Sequence, residues 1–482
     1  MFGVDHARQE AVGLTFILSH LLPDSPYGAA EVKKMQFFGR DGHAKARTCF
    51  DNIEKVIEIN RSDPDLLKKV RNELLELRNI RGTVGKCATE PLSQVELFEL
   101  KRFLLTYEKL SSAYNTFPKN SRLEGITLGV MTGALDILDP EGKRIAAFAF
   151  ESSALNAVRR KKQDVEAMLN KETSSGALDV LTIKRRNLVI RESEEESRVA
   201  EVLSLKLREY LSAFKANMDA IAVLDLTIAK ANLSILFGAT RPFVDNCTGI
   251  VLDEMFNPYV EKALADKGQA MTRVSLTLSR GMSIITGANM GGKSVAVKTA
   301  VLNVLMCQIG LFVFAKHAEI PLFDSLSLTA EDLQDVSRGL SSFGAEIFKL
   351  NQIVEQMKSE FMFVAFDEFA RGTNPEEGAA ILRAVATYLS ETDSICLMTT
   401  HYDGVVLPNF KHYQVSGLKL PDEDIGAIGD ISSLSSYMDY NLVEVGTDTP
   451  APRDALKICE ILGLDHGVLG KIKNEYGGYG YE

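Results

Sequence analysis

Residues Ile284 to Ser294 read Ile-Ile-Thr-Gly-Ala-Asn-Met-Gly-Gly-Lys-Ser. The segment fits the pattern of a phosphate-binding loop, in which a glycine and four residues precede Gly-Lys-Ser/Thr. In such a loop the amino group of Lys293 reaches the β- and γ-phosphates, and the hydroxyl of Ser294 binds Mg²⁺. Three glycines allow the tight bend that points backbone N–H groups at phosphate oxygens. They are Gly287, Gly291 and Gly292.

The residues on either side support this interpretation. Ser283–Thr286 reads as a short apolar strand, and a helix is predicted from Ser294 to about Leu311. The dipole of that helix points its positive end at an anion bound in the loop. Strand, loop and helix therefore occur in the order that phosphate binding requires. The loop residues predicted to bind nucleotide are Gly287, Ala288, Asn289, Met290, Gly291, Gly292, Lys293 and Ser294.

The composition is that of a soluble globular protein. The chain has 482 residues, 45% of them hydrophobic and 25% charged, which is enough for two or three domains. A net charge of −11 argues against a protein that coats nucleic acid by charge alone, although it is compatible with a local basic patch. Six scattered cysteines without a C-x-x-C pair indicate reduced thiols. No apolar run approaches a membrane span, so we expect a cytoplasmic protein without a membrane partner.

The first half of the chain reads as helical. Residues 1–120 carry helical periodicity, and residues 135–150 suggest two short strands around a Pro-Glu-Gly turn. Long helices are predicted over Ser152–Lys171 and from about Glu195 to Ala231. Two long helices joined by a small tip form an antiparallel arm.

Two basic clusters lie near the tip of this predicted arm, at residues 159–162 and 184–186. If the helices pair, the clusters come close enough together to contact a phosphate backbone. Four glutamates follow within residues 192–196 and cancel much of that field. A solvated helix face is therefore the favoured interpretation, with contact to nucleic acid as the alternative.

An α/β region begins near Thr240. A continuous apolar strand, Phe361–Phe366, ends in Asp367-Glu368, and a further strand ends in Thr400-His401. Alternating strands and helices around a phosphate loop predict an open parallel sheet with nucleotide at its carboxyl edge. An acidic residue at that edge holds Mg²⁺, and the next carboxylate polarises the attacking water. A histidine at the same edge senses the γ-phosphate or positions water.

A fourth element lies between the loop and the acidic pair. Residues Ser337–Glu346 are predicted to open a helix, with Ser341 and Ser342 as candidate N-caps and Glu346 supporting the cap. Spacing alone favours a simple capped helix. The alternative is a helix N-terminus presented to a nucleotide on another subunit.

Together these motifs resemble the MutS family. Its phosphate loop is usually Gly-Pro-Asn-Met-Gly-Gly-Lys-Ser, and only Ala288 departs from it. The resemblance covers about residues 240–465 and includes three further motifs in the same order. They are the signature segment Gly339-x-Ser-Ser-Phe-x-x-Glu346, the run Asp367-Glu368 with Arg371-Gly372-Thr373, and the switch Thr400-His401-Tyr402.

The resemblance implies an α/β ABC-type P-loop ATPase domain, preceded by an all-α core and lever domain with a long antiparallel helical arm. It implies a core at 1–120, lever helices with a shortened clamp at 121–235, the ATPase domain at 236–470 and a flexible tail at 471–482. It also implies a homodimer or pseudo-symmetric heterodimer that hydrolyses ATP with Mg²⁺. Roles carry over to five residues: Glu368 orients water, His401 acts as switch, Asp367 and Ser294 serve Mg²⁺, and Ser341 closes the nucleotide site of the partner subunit.

Three functions compete at this stage. In the first, the arms clamp branched or duplex DNA in mismatch repair or recombination. The sole Phe-x-Glu tripeptide, Phe366-Asp367-Glu368, lies in the ATPase strand, so the resemblance does not extend to mismatch reading by an N-terminal wedge. In the second, the chain reactivates a cobalamin-dependent aminomutase, which is a protein client, without a DNA role. In the third, it is a nucleotide-gated dimerisation module with little turnover, which Glu368 and Ser341 argue against.

Overall fold

The computed structural model describes residues 6–287, 291–329, 342–418, 437–447, 449 and 455–478. The chain divides into two compact units. One comprises Met1–Leu21, Met35–Glu54 and Lys230–Glu482, and the other Leu22–Lys34 and Lys55–Ala229. The domain boundaries predicted from the sequence, at about 120, 235 and 470, remain predictions.

Helices account for most of the described chain. They are α1 His6–Ala11, α2 Leu14–Ser19, α3 Pro26–Val32, α4 His43–Ser62, α5 Pro64–Glu76, α6 Arg81–Cys87, α7 Gln94–Asn115, α8 Thr132–Leu138, α9 Ser153–Leu169, α10 Ser175–Leu207, α11 Leu211–Phe237, α12 Pro258–Ala265, α13 Lys293–Gln308, α14 Ser342–Met357, α15 Pro375–Ser390, α16 Ala455–Ile461 and α17 His466–Gly478. Short 3₁₀ turns lie at Lys119–Ser121 and Arg208–Tyr210.

Strands occur in the second half of the chain. They are β1 Ile250–Met255, β2 Val274–Leu278, β3 Gly281–Thr286, β4 His317–Glu319, β5 Ser325–Thr329, β6 Met362–Phe366, β7 Ile395–Thr399, β8 Lys411–Leu418 and β9 Met438–Glu444. A three-stranded antiparallel sheet has the order β2-β1-β4. A six-stranded sheet has the order β5-β6-β7-β3-β8-β9.

The six-stranded sheet is mixed. β5, β6, β7, β3 and β8 pair in parallel, and β9 pairs antiparallel to β8. Every residue of β3, β6 and β7 is buried, as expected for central strands covered on both faces. The strands predicted at Ser283–Thr286 and Phe361–Phe366 are confirmed within a residue or two. The predicted α/β architecture is confirmed in outline, but the sheet was predicted to be parallel and the antiparallel strand β9 makes it mixed.

Local sequence explains where the long helices start. Ser93 and Glu96 form a reciprocal capping box at the start of α7. Asp63 caps α5 and Asn374 caps α15, each followed by proline at the first helical position. These caps satisfy N–H groups that the first helical turn leaves without partners, so each helix begins at a defined residue.

Helices α9 and α10 pack against each other in antiparallel order. Arg159 forms ion pairs with Glu192 and Glu196, at 3.1 and 2.7 Å, and Lys162 also pairs with Glu192. Further along, Arg185 contacts Glu166 at 2.8 Å. As the residue number of the contact rises along α9, the residue number of its partner on α10 falls, so the two helices run antiparallel.

The second long helix was predicted to start near Glu195, and this prediction is wrong because the helix starts well before that residue. The helix begins at Ser175, so α10 runs for 33 residues. Ser174 and Gly176 mark its N-terminus rather than a loop. The segment after them is rich in Leu, Lys and Arg, which are good helix formers. Leu188 of α10 is buried, as is Val165 of α9. Burial of apolar side chains on both helices stabilises the early part of α10 as a helix.

The two strands predicted over residues 135–150 are also absent. Residues 132–138 form helix α8, whose Ala134, Leu135 and Leu138 are buried at helical spacing. The predicted turn is present, because Gly142 has φ 62° and donates to the Asp139 carbonyl oxygen at 2.9 Å. The segment after the turn does not form a strand, because residues 141–147 are exposed and would gain no burial from strand pairing.

One helical stretch is apolar enough to be compared with a membrane span, and the predicted tail is largely helical. Within the described ranges, the helical stretch Ser175–Phe237 contains an 18-residue window of mean hydropathy 1.7, long and apolar enough to cross a membrane. That window is 67% buried inside the structure, and a buried core helix passes the same test. The tail predicted at 471–482 is helical as far as Gly478 in α17, and residues 479–482 lie outside the described chain.

Candidate functional site

Three neighbouring strands deliver the predicted site residues to one edge of the sheet. β6, β7 and β3 lie side by side, and each ends one or two positions before a predicted site residue. Parallel strands place their carboxyl ends at the same edge. Backbone bonds fix the register there, because Asp367 N–H donates to Thr329 O at 2.8 Å and Thr400 N–H to Ile285 O at 3.0 Å. The structure therefore brings together the phosphate loop, the acidic pair and the histidine.

The loop connects β3 to α13 through two glycines in conformations that favour glycine. Gly287 has φ 138° and Gly292 has φ 87°. A Cβ on Gly287 would lie 3.2 Å from the Cβ of Val415, and one on Gly292 would lie 3.0 Å from Cδ1 of Tyr440. The backbone conformation and the close packing therefore both favour glycine at these positions. Ala288, Asn289 and Met290, also predicted to bind nucleotide, lie outside the described residues.

Lys293 is a buried cation at the start of α13. It is 3% exposed, and its Nζ donates to the Gly287 carbonyl oxygen at 2.7 Å. Glu368 Oε1 lies 4.0 Å from the same nitrogen. Burial lowers the pKa of Lys293, while the carboxylates of Glu368 and Asp367 raise it. A positive group with so little solvent interacts strongly with an anion that reaches it.

Ser294 and Asp367 meet although they come from different elements. The Ser294 hydroxyl donates to Asp367 Oδ1 at 2.9 Å. Thr399 Oγ1 donates to the same oxygen at 3.1 Å and accepts the backbone N–H of Glu368 at 2.8 Å. Thr399 therefore fixes both the carboxylate of the first acidic residue and the backbone of the second.

Glu368 has an unusual backbone and a charged partner. Its φ of 54° is in the left-handed region, which side-chain-bearing residues adopt at a cost. Its side chain is 17% exposed, and Oε2 accepts a 2.8 Å hydrogen bond from Arg371. A strained residue held in this way at a sheet edge is typical of functional sites.

His401 lies beside this cluster and is neutral near pH 7. Burial lowers the pKa of its imidazole, the nearby Glu368 carboxylate raises it, and Lys293 and Arg371 lower it. Its Nδ1 is buried and has no hydrogen-bond partner among the described residues. The ring lies 4.4 Å from that of Tyr402. A half-buried neutral imidazole with an unused ring nitrogen is able to exchange hydrogen bonds with a water or a ligand oxygen.

A cavity of about 820 Å³ opens over the loop and the start of α13. Its floor includes Gly291, Gly292, Lys293 and Ser294, and Glu368 lies at one side. Apolar side chains supply much of the remaining wall, and the volume lies within the range of about 300 to 1,000 Å³ typical of ligand pockets. The apolar residues of the wall include Leu264, Met271, Met438 and Tyr440.

The signature segment is only partly described. Helix α14 begins at Ser342, as the predicted cap position requires, and Ser341 lies outside the described residues. Glu346 accepts the backbone N–H of Ala370 at 2.8 Å. Its carboxylate therefore contacts the turn that follows the acidic pair, a contact that the predicted capping role did not include.

Comparison with known sequences agrees with the motifs. MutS domain V matches residues 283–427, which include the loop, the acidic pair and the histidine. Residues 283–427 therefore carry a domain of the MutS family. The resemblance inferred from four short motifs is thereby confirmed.

Similar curated proteins include several named Endonuclease MutS2. The protein from Leuconostoc mesenteroides is 29% identical over 292 residues, covering 60% of this chain and 34% of the relative. The one from Bacillus subtilis, named a putative endonuclease, is 30% identical over 289 residues, covering 59% and 34%. The one from Ligilactobacillus salivarius is 24% identical over 438 residues, covering 89% and 50%. The chain thus spans about a third to a half of the length of these relatives.

Several residues of this MutS site carry no signal in the sequence. Thr399 precedes the switch motif but is a common strand residue, and its two hydrogen bonds depend on the pairing of β6 with β7. Tyr440 reaches the cavity from β9, which follows the loop by about 150 residues. The segment Gln269–Thr272 joins the wall from outside any helix or strand. Only the tertiary fold brings them to the loop.

Proposed function

We propose that the chain binds ATP with Mg²⁺ at the Gly287–Ser294 loop and hydrolyses it. The observation that carries the proposal is the arrangement at the cavity floor. There the buried Lys293 amino group lies beside the hydrogen-bonded pair Ser294–Asp367. The cavity is large enough for a nucleotide, and its apolar wall with Tyr440 suits a purine ring.

The donor set fits Mg²⁺. Magnesium is usually held by one or two carboxylates together with substrate phosphates, rather than by an all-protein cage. Among the described residues there is no group of three or more His, Cys, Asp or Glu side chains arranged for a metal. Ser294 and Asp367, whose side-chain oxygens are 2.9 Å apart, are the residues that would hold the ion. Bound there, Mg²⁺ supplies neutralisation of charge that develops on the phosphate oxygens.

The remaining roles follow from charge and position. Glu368 is the carboxylate placed to orient and polarise the attacking water, because it lies at the cavity and 4.0 Å from the Lys293 cation. His401 serves as the switch that positions water or senses the γ-phosphate, because its neutral ring is beside Glu368. Asp367 and Ser341 contribute to nucleotide binding, the latter on the partner subunit of a homodimer or pseudo-symmetric heterodimer.

We further propose that the nucleotide cycle moves the helical arm of α9 and α10, in an ABC-type arrangement, and that the client is DNA in repair or recombination. The names of the relatives support a nucleic-acid substrate in the family. Arg160, Lys161, Lys184 and Arg186 are exposed on the arm and provide charges for phosphate contact. A cytoplasmic location is consistent with this role.

A second candidate, ATP-driven reactivation of a cobalamin-dependent aminomutase, is favoured by one observation. Three of the arm's basic residues, Arg159, Lys162 and Arg185, are paired with glutamates of the facing helix. This pairing reduces the positive field that a DNA clamp needs, and the overall charge of −11 reduces it further. Such a surface suits a protein client.

The ATPase proposal is tested with Lys293→Ala. We expect nucleotide binding, measured by calorimetry with ATP and Mg²⁺, to be lost, and turnover to fall with it. Lys298→Ala, in the same helix but outside the cavity wall, is the matched control and should bind normally. Wild-type turnover in Lys293→Ala would disprove the assignment of the loop.

The two clients are separated by measuring turnover with branched DNA and with duplex at several salt concentrations. The DNA client is supported if DNA stimulates turnover and the logarithm of the DNA affinity falls linearly with the logarithm of the salt concentration. Replacing Arg160, Lys161, Lys184 and Arg186 by alanine should then reduce the slope by about 0.9 for each lost phosphate contact. Turnover that is indifferent to DNA at low salt favours the protein client.

A further inference from the structure

The turn after the acidic pair contains a second strained residue. Ala370 has φ 62°, in the same left-handed region as Glu368 two positions earlier. Neither residue is glycine, and such a conformation persists only where the surrounding structure over-determines it. Both Phe369 and Ala370 are buried, with 2% and 0% exposure, so the turn is set into the core below the sheet edge.

Side chains from two other elements hold both polar groups of Ala370. Its N–H donates to Glu346 Oε2 at 2.8 Å, from the second turn of α14. Its carbonyl oxygen accepts the Tyr402 hydroxyl at 3.2 Å, next to His401. The bond to Glu346 holds the peptide plane before Ala370, and the bond from Tyr402 holds the peptide plane after it. Because Glu368 is two residues away, the same bonds restrain the backbone that carries the Glu368 side chain.

A third element closes the turn from the opposite side. Gly378 in α15 comes so near that a Cβ there would lie 2.9 Å from the Tyr402 hydroxyl and 3.2 Å from the Ala370 carbonyl oxygen. The backbone of α15 therefore packs closely against both the Tyr402 hydroxyl and the Ala370 carbonyl oxygen. The turn is held by α14, α15 and the residue after the switch histidine at once.

We propose that Glu346 is a positioning residue for hydrolysis: through Ala370 it aims Glu368 at the water, and it couples the position of α14 to the chemistry. This inference rests on the proposed ATPase function. The carboxylate acts as a hydrogen-bond acceptor, and it does not touch the nucleotide cavity. A shift of α14 changes the Ala370 peptide and, with it, the geometry of Glu368 and Tyr402.

The test compares Glu346→Ala with Glu346→Gln, in the full chain, by ATPase kinetics and equilibrium ATP binding. The alanine variant should lose about 10- to 100-fold in kcat, the size of effect expected when a reacting group is misplaced by about 1 Å. ATP affinity should stay at the wild-type value. The glutamine variant keeps a carbonyl acceptor for the Ala370 N–H and should recover most of kcat. Glu355→Ala, an exposed residue of the same helix, should match the wild type.

Gly378→Ala provides a second approach that leaves Glu346 intact. The added methyl should displace the Tyr402 hydroxyl from Ala370 and lower kcat in the same way, again without loss of ATP affinity. Equal kcat in wild type, Glu346→Ala and Gly378→Ala would overturn the proposal, as would a fall in melting temperature with unchanged kcat. If the wild type itself neither binds nor hydrolyses ATP, the proposed function fails instead, so the two failures are distinct.

Discussion

The Ser294 hydroxyl donates a 2.9 Å hydrogen bond to Asp367 Oδ1 across a separation of 73 residues. One residue opens α13 and the other follows β6, so only the parallel arrangement of β3, β7 and β6 brings them together. The contact shows two oxygens already converged at the cavity floor. That convergence is what a Mg²⁺–nucleotide complex needs from a protein that supplies few metal ligands.

Ser294→Ala should therefore weaken the magnesium dependence of turnover. We expect the Mg²⁺ concentration for half-maximal ATPase activity to rise about tenfold or more, the effect of losing on the order of 1.4 kcal/mol of interaction. Ser294→Thr keeps a hydroxyl at the same position and should restore the wild-type titration. The measurement is ATPase rate against Mg²⁺ at saturating ATP. If the alanine variant needs the same Mg²⁺ concentration as the wild type, Ser294 is not a ligand of the metal.

Glu368→Ala should separate binding from hydrolysis. The carboxylate is the group placed to polarise water, so kcat should fall about 10²- to 10⁴-fold. Removing a negative charge 4.0 Å from Lys293 should preserve or strengthen ATP binding. The variant should accumulate as an ATP-bound closed dimer, visible by light scattering.

The control for this variant is Glu377→Ala, an exposed carboxylate in the first turn of α15. It removes the same charge away from the cavity and should retain wild-type turnover and wild-type mass. A Glu368→Ala protein that remains monomeric in ATP would refute closure of a dimer around the nucleotide. One that still hydrolyses ATP at the wild-type rate would refute the assignment of the water-orienting residue.

His401 should make the folded protein less stable in mild acid. Burial lowers the pKa of its imidazole below 6.5, so near and below that pH the unfolded chain binds more protons than the folded chain. Its contribution to stability is thus present above about pH 6.5 and is lost as the pH falls towards the lowered pKa. Other groups titrate as well, so the comparison needs a matched variant.

That variant is His401→Gln, which is uncharged at every pH in the window. Chemical denaturation of both proteins at about pH 7.5 and about pH 5.5 gives the change in the free energy of unfolding for each. We expect the wild type to lose more stability on acidification than His401→Gln does. Equal losses would show that the imidazole titrates as it would in water.

Sequence patterns were sufficient where local chemistry decides the structure. The all-apolar run Phe361–Phe366 is characteristic of a doubly covered strand, and the structure has β6 there with every residue buried. The loop pattern also predicted the order of strand, turn and helix, because its glycines permit backbone angles that other residues avoid.

Patterns failed where long-range contacts decide. The apolar residues after Gly142 resembled a strand, but residues 141–147 are exposed and acquire no partner strand within the described structure. The start of α10 was predicted too far along the chain, because the segment that contains Ser174 and Gly176 was predicted to form the tip of the arm. In the structure this segment is helical, and ion pairs such as Arg185–Glu166 join it to α9. Tyr440 and Glu346 were not assigned to the site because their contacts join elements far apart in the chain.

The phosphate loop offers a stability test that does not depend on nucleotide. Gly287 has φ 138°, a conformation that a residue with a Cβ adopts only under strain. The added methyl of Gly287→Ala would also lie 3.2 Å from the Cβ of Val415, closer than ordinary packing allows. Strain of this kind costs on the order of 1–3 kcal/mol, and we expect a loss of that size in the free energy of unfolding.

The control is Gly176→Ala, near the start of α10, where no heavy atom lies within 4 Å of an added Cβ and the backbone is helical. Alanine there should be neutral or stabilise by up to about 1 kcal/mol, since it replaces the weaker helix former. Denaturant unfolding of both variants beside the wild type provides the comparison. If Gly287→Ala is as stable as Gly176→Ala, the backbone at residue 287 is not held in the glycine-only conformation, and the loop geometry on which phosphate binding depends is different from that described.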